Sequence, residues 1–167
     1  MEILAPTKIH EVGVITDEIK VRTAFVLKVL SKSEMPVCFF RFDGGVSGEE
    51  FHELSVSLIY CCLVAGLIKI VPGDWLETNG IARFEDYAKL LRSINPDAEG
   101  FSDDGVFHDY ATKVTVWMDA QIECAPLGDQ LVSSYFPGGI HVDVEGARAF
   151  WERLVEIFEK RNLVLYH

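Results

Sequence analysis

Residues 47–73, SGEEFHELSVSLIYCCLVAGLIKIVPG, contain the stretch that decides the fold. Ser47 and Glu50 have the spacing of a capping box, which predicts that a helix begins here. The second half of the stretch is apolar at almost every position, so a helix over about 48–70 would be buried on nearly all sides. The sequence therefore predicts that this helix is the centre of the core and that the Pro-Gly pair at 72–73 follows its end.

The C-terminal part of the chain has the clearest helical periodicity. Apolar residues recur at intervals of three and four and form one continuous face: Ala147, Phe150, Trp151, Leu154, Val155 and Phe158. Asp143 is a candidate N-cap, and Asn162 is a candidate left-handed stop. The sequence predicts an amphipathic helix over about 144–161.

The other predicted elements are shorter. Thr16 and Asp17 can cap a helix that runs to about residue 32, although apolar residues there also alternate as in a strand: Ile19, Val21, Phe25, Leu27 and Val29. Residues 81–94 have the pattern of an amphipathic helix. Strands are predicted at residues 9–15, at 36–43 and at 113–118 with a continuation toward residue 122, and a β-hairpin is predicted around the Pro-Gly-Gly turn at 137–139. Together these elements predict an α+β domain in which about four helices pack on a mixed or mostly antiparallel sheet.

The chain has 167 residues and a formal net charge of −11, from 15 Lys and Arg against 26 Asp and Glu. This length fits a single domain over residues 1–167, and no repeat, low-complexity tract or linker divides it. Nucleic acids and anionic membranes bind cationic surfaces, so the charge argues against both as partners. The charge favours a basic partner, or it serves simply to keep the protein soluble.

The sequence also bears on the compartment. The first residues lack the basic stretch and apolar core of a signal peptide. The longest uncharged run, residues 54–68, is shorter than the ~20 residues that a membrane-spanning helix needs. The cysteines do not have the spacing of a secreted disulfide scaffold. We expect a reduced, cytoplasmic protein in which Cys38, Cys61 and Cys62 are core residues and Cys124 is the one candidate for a reactive thiol.

The negative charge is concentrated in two stretches. Residues 43–53 have a net charge of −4, residues 97–129 have a net charge of −7, and the remainder is neutral. Such clustering would steer a basic partner to one face, although Asp-rich loops also form for reasons of backbone geometry. The candidate partner-binding residues are acids and aromatics of the second stretch and of the predicted hairpin: Asp97, Glu99, Asp103, Asp104, Asp109, Trp117, Asp119, Tyr135 and Phe136.

Histidines near acids offer a different kind of site. His108, His141 and Asp143 could form an acid–base pair or ligate a metal, and on a strand His141 and Asp143 would share one face. The sequence contains no H-E-x-x-H motif, however, and side chains adjacent in sequence do not face each other. No metal, cofactor or catalytic residue is assigned.

Small acidic domains without catalytic motifs are typical of inhibitors of nucleases and toxins, bacterial immunity proteins among them. The sequence therefore favours a non-catalytic binding protein that inhibits or regulates a basic protein partner, such as a toxin or a nuclease. Two alternatives stay open. One is a small metal-dependent or acid–base enzyme that uses His108, His141 and Asp143, and the other is a homo-oligomeric structural protein, for example a homodimer.

Overall fold

The helix that begins at Gly48 forms the centre of the structure, a computed structural model that describes residues 15–42, 48–96 and 114–165. In chain order the described helices are α1 (Asp17–Leu30), α2 (Gly48–Val64), α3 (Trp75–Thr78), α4 (Phe84–Ser93), α5 (Pro126–Tyr135) and α6 (Val144–Glu159). Most of the second half of α2 is buried, which confirms the predicted central helix. Two predictions fall outside the described residues: the capping residue Ser47, and residues 9–14 of the strand predicted at 9–15.

The end of α2 differs from the predicted boundary at about 70. Gly66 has a φ of +72°, and the amide of Leu67 donates to the carbonyl of Cys62 at 2.9 Å. These are the features of a Schellman C-cap, in which a glycine takes the left-handed conformation that ends a helix. The residues that follow, Ile68–Val71, alternate between buried and exposed positions and form a strand.

The two other long helices begin where the sequence predicts. At the start of α1, the side chain of Thr16 accepts a hydrogen bond from the amide of Ile19 at 3.3 Å. At the start of α6, the side chain of Asp143 accepts a hydrogen bond from the amide of Gly146. These helices pack mainly against each other, while α2 packs against α4. Asn162 has a φ of 56°, which confirms the predicted left-handed stop after α6.

Three described strands form an antiparallel sheet: β1 (Met35–Pro36), β2 (Ile68–Val71) and β3 (Gln121–Cys124), in the order β1-β3-β2. Ile122 of β3 pairs with Met35 on one side and Ile70 on the other, and its side chain is buried in the core. Lys69 and Glu123 face each other on the exposed side, 2.9 Å apart. The predicted α+β class is confirmed.

Two predicted strands are wrong for most of their length. In place of a strand at 36–43, Val37–Phe40 form a 3₁₀ helix whose two buried side chains are three residues apart. In place of a strand at 113–118, Val114–Asp119 form a π-helical turn that buries two consecutive side chains. Both segments are as apolar as a buried strand. On one face of a strand, buried side chains would be two residues apart, whereas here the spacing is three residues in the first segment and one in the second. Both segments are therefore helical turns that pack into the core.

The predicted β-hairpin around 137–139 is also wrong. The residues before it form α5, which has Pro126 in its first turn, and residues 140–143 form no strand. Gly128 lets α5 lie against the backbone that follows α2, because a Cβ at this position would lie 2.0 Å from the carbonyl oxygen of Leu67. The place of α5 in the fold therefore requires the absence of a side chain at residue 128.

We expect Gly128→Ala to lower the free energy of unfolding by about 2 kcal/mol or more, because a clash with a backbone atom cannot be relieved by a side-chain rotation. Urea denaturation followed by circular dichroism measures the change. Gly73→Ala is the matched control: a Cβ there meets nothing within 4 Å, so its effect should stay within about 0.5 kcal/mol. Equal stabilities of the two variants would contradict the close approach of α5 to Leu67.

Candidate functional site

Three exposed acids lie on or directly beside the short helix α3. The indole Nε1 of Trp75 donates to Oδ2 of Asp119 at 3.1 Å, which holds Asp119 beside α3. Asp74 directly precedes Trp75, and Glu77 lies in the same short helix. We call Asp74, Glu77 and Asp119 the acidic corner. The corner combines Asp119, from the acidic stretch at 97–129, with Asp74 and Glu77, from the part of the chain whose charges sum to zero.

The acidic corner rests on buried structure. Trp75 is 6% exposed, and its ring packs edge-on against Tyr87 of α4 with the ring centroids 5.8 Å apart. Val71 at the end of β2 pairs with Gln121 at the start of β3, so the chain before Asp74 and the chain after Asp119 are joined by strand pairing. The three carboxylates are therefore presented by a rigid frame.

Two other described acids of the two acidic stretches are paired with cations. Glu53 accepts two hydrogen bonds from Nε of Arg92, at 2.8 and 2.9 Å, and Glu123 pairs with Lys69. By contrast, no Lys or Arg among the described residues lies within 4.0 Å of a carboxylate of the acidic corner. The corner keeps negative charge that these ion pairs do not offset.

Met118 adds an apolar side chain to this surface. It is 50% exposed and directly precedes Asp119. The side-chain amide of Gln121 donates to the carbonyls of Met118 and Asp119, at 3.0 and 3.3 Å, and so holds the turn. Methionine side chains are common at adaptable binding surfaces, so the corner offers an apolar contact beside its charge.

The structure places one of the predicted acids, Asp119, in the acidic corner. Five others lie outside the described residues: Asp97, Glu99, Asp103, Asp104 and Asp109. Asp74 and Glu77 were missed because they fall in the part of the chain whose charges balance to zero. The available signal was Trp75 in the Pro-Gly-Asp-Trp turn, since a buried indole needs an acceptor for its N–H group.

Two of the predicted aromatic contacts are corrected by the structure. Trp117 is 1% exposed and donates its Nε1 proton to the carbonyl of Ile94 at 2.6 Å. Phe136 is 6% exposed and packs against Phe150, with the ring centroids 5.4 Å apart. Neither side chain is accessible to a partner, because each fills the core. Tyr135 is half-buried, and its contact with a partner stays a prediction.

A buried polar cluster joins several elements close to Trp117. NH1 of Arg41 donates to Nδ1 of His52 at 2.9 Å, and NH2 of Arg41 donates to Oδ1 of Asn95 at 3.2 Å. The guanidinium lies over the indole of Trp117, 4.9 Å from the ring centroid. Arg41 and His52 are buried, so these contacts connect the chain after β1 with α2 and with the end of α4 inside the core.

The cluster assigns a hydrogen-bonding role to each ring nitrogen of His52. Arginine can only donate hydrogen bonds, so Nδ1 of His52 accepts the one from Arg41. Nε2 donates to the carbonyl of Arg92 at 3.0 Å. The ring therefore bridges Arg41 and the end of α4.

We expect His52→Phe to lower the free energy of unfolding by about 2 kcal/mol, since it deprives Arg41 and the Arg92 carbonyl of this partner.

Urea denaturation followed by circular dichroism measures the change. His52→Gln is the matched variant, since an amide both donates and accepts hydrogen bonds. It should lose less stability than His52→Phe. Equal losses in the two variants would contradict a hydrogen-bonding role for His52.

The predicted histidine–aspartate site is not assembled in the described part of the chain. Asp143 caps α6, with Oδ1 accepting the amide of Gly146 at 2.7 Å, and no hydrogen bond or ion pair joins it to the exposed His141. His108 lies outside the described residues. Within the described ranges, no group of three or more His, Cys, Asp and Glu side chains is placed to hold a metal ion.

Cys124, the candidate reactive thiol, is a buried core residue. Burial raises the pKa of its thiol to about 12, and Sγ donates to the carbonyl of Leu27 at 3.3 Å. Burial also raises the pKa of Cys61 to about 11 and that of Cys62 well above its usual value, which confirms their predicted place in the core. Nucleophilic attack requires the thiolate, so these three thiols are protected.

We expect Cys38, the half-buried cysteine, to be the one thiol that reacts rapidly with an aromatic disulfide reagent at about pH 8. Absorbance of the released thiolate measures the reaction, and the denatured chain should release all four equivalents. Cys38→Ser should remove the rapid phase. A rapid phase that persists in this variant would show that one of the three other thiols is accessible.

No described helix is both long enough and apolar enough to cross a membrane. Comparison of the chain with protein-family models, with curated proteins and with solved structures gives no match.

Proposed function

We propose that the protein is a non-catalytic acidic binding protein that inhibits or regulates a basic protein partner, such as a toxin or a nuclease. The observation that supports this proposal is the acidic corner. Three exposed carboxylates, without a Lys or Arg within 4.0 Å among the described residues, stand on a frame held by buried Trp75. Met118 supplies an apolar contact beside them.

The ion pairs of the described surface leave this excess of negative charge in place. Five basic residues pair with acids: Lys69, Arg83, Arg92, Arg148 and Arg153. Each pair removes one charge of each sign, so it does not change the net charge of −11. The net negative charge therefore comes from acids that are not in an ion pair, and the three acids of the acidic corner are among them.

Clustered exposed charge acts mainly on the rate of association. At physiological ionic strength the Debye length is about 8 Å, so neighbouring carboxylates act together while distant ones are screened. A cluster of one sign steers a partner of the opposite sign to one orientation and raises the association rate. The acidic corner has this property for a partner with a matching group of Lys and Arg residues.

Neutralising the acidic corner with Asp74→Asn, Glu77→Gln and Asp119→Asn together should weaken capture of the basic partner. Asparagine keeps an oxygen that can accept from Trp75, so the fold should be retained. Affinity purification from the native cell at about 0.05 M and about 0.5 M salt, followed by identification of the proteins released by salt, provides the partner. We expect the triple variant to associate with it at least about tenfold more slowly.

The matched control removes three charges from the exposed side of α6, with Glu145→Gln, Glu152→Gln and Glu159→Gln. Its association rate should stay within about threefold of the wild-type rate, because the same net charge is removed away from the acidic corner. Equal losses in both variants, or no loss in either, would contradict a role for the corner. Asp103→Asn, Asp104→Asn and Asp109→Asn test the acids predicted from sequence separately.

A further inference from the structure

A groove of about 740 Å³ lies between the first half of α1 and the segment that precedes α6. Its walls are mainly aliphatic and aromatic: Val21 and Phe25 come from α1, and Ile140 and Val142 come from the segment at 140–142. Ile140 is 65% exposed, so this apolar surface is open to a ligand. The volume falls within the roughly 300–1,000 Å³ of small-molecule sites.

Arg22 places a positive charge in the lining of this groove, in a fixed orientation. Its NH2 group donates to the carbonyl of Phe39 at 3.1 Å. Its guanidinium carbon also lies 5.0 Å from the ring centroid of Phe39 and 5.8 Å from that of Phe25. A side chain that is already ordered loses little conformational entropy when a ligand binds. The fixed orientation of Arg22 therefore favours binding of a ligand that the guanidinium recognises.

The guanidinium of Arg22 has donors left for a ligand. It has five N–H groups, and the described structure uses one of them, with no carboxylate within 4.0 Å. Glu18 also lines the groove, one turn earlier in α1, but it is exposed and forms no ion pair with Arg22. A guanidinium with two adjacent donors matches the two oxygens of a carboxylate.

The negative charge of the chain does not prevent an anion from binding here. Charges farther away than the Debye length of about 8 Å are largely screened at physiological ionic strength. A hydrogen-bonded contact with Arg22 acts at a much shorter distance than that, so the groups that line the groove decide the charge of its ligand.

The geometry points to a binding site for a small amphiphilic carboxylate, whose alkyl chain or ring lies in the groove and whose carboxylate is held by Arg22. The apolar walls account for the body of such a ligand, and the fixed guanidinium accounts for its charged end. This site is independent of the acidic corner, so either proposal can fail without the other.

Calorimetric titration of the full chain with matched acids and alcohols tests the inference. Octanoate and octanol share an alkyl body, and phenylpropanoate and phenylpropanol share an aromatic one, so the two pairs distinguish the chain from the ring. We expect at least one acid to bind roughly tenfold or more tightly than its alcohol, since the alcohol lacks the charge that Arg22 recognises. Failure of both acids to bind would overturn the proposal.

Arg22→Gln removes the guanidinium but keeps an N–H group that can reach the Phe39 carbonyl. It should weaken binding of the acid about tenfold and leave the alcohol within about twofold. Lys20→Gln removes the same charge from α1 at a residue that does not line the groove, and it should leave both affinities unchanged. Equal effects of the two variants would overturn the assignment to Arg22.

A third variant keeps the test decisive if Arg22→Gln fails to fold, which circular dichroism would show. Val21→Trp fills part of the groove from the half-buried face of α1 and leaves Arg22 in place. It should abolish binding of the acid and of the alcohol alike. Retention of both affinities in a folded Val21→Trp protein would show that the ligands bind elsewhere.

Discussion

The reversal of the chain at Gly66 is the constraint on which the rest of the structure depends. Gly66 ends α2, and the backbone then turns so that the Leu67 amide bonds back to Cys62. The carbonyl of Leu67 accepts the amide of Ala125 at 2.9 Å, and α5 approaches the same carbonyl at Gly128. One backbone turn thus ends the central helix, aligns β2 with β3 and sets the position of α5.

The acidic corner is a consequence of this turn. Once β2 pairs with β3, the chain that leaves β2 and the chain that enters β3 lie side by side. Trp75 can then reach Asp119, and the hydrogen bond between them satisfies a buried indole with an exposed carboxylate. Asp119 therefore lies beside the helix of Asp74 and Glu77 because of the packing of Trp75 and the strand pairing, although it is far from them in sequence.

A helix with a regular apolar face and a side-chain cap could be predicted from the sequence, as α6 shows, whereas α1 was indicated by its cap while its apolar pattern also fitted a strand. The errors arose where an apolar segment fits more than one period. Residues 113–118 are apolar enough for a strand, but Trp117 has to reach the Ile94 carbonyl and the Arg41 guanidinium, which favours a π-helical turn. Tertiary partners decide such segments, and they cannot be read from local sequence.

The candidate site was predictable only in part, for a related reason. Charge summed along the chain identified Asp119 but not Asp74 and Glu77, which lie in a part of the chain with no net charge. Such a sum contains no information about which turns lie next to each other in the fold. The buried pair of Arg41 and His52 was also missed. Arginine and histidine side chains are seldom fully buried, and these two are buried by partners that are distant in sequence.

Charge and apolar surface act at different places in this protein, and this separates what they can do. The acidic corner combines carboxylates with one exposed methionine, so in the proposed function it would act mainly on how fast a partner arrives. The groove beside α1 combines apolar walls with the fixed guanidinium of Arg22, so in the proposed site it would act on how long a ligand stays. A single ligand class does not fit both surfaces, because the corner attracts cations while Arg22 attracts anions. The two proposals therefore describe two separate binding events.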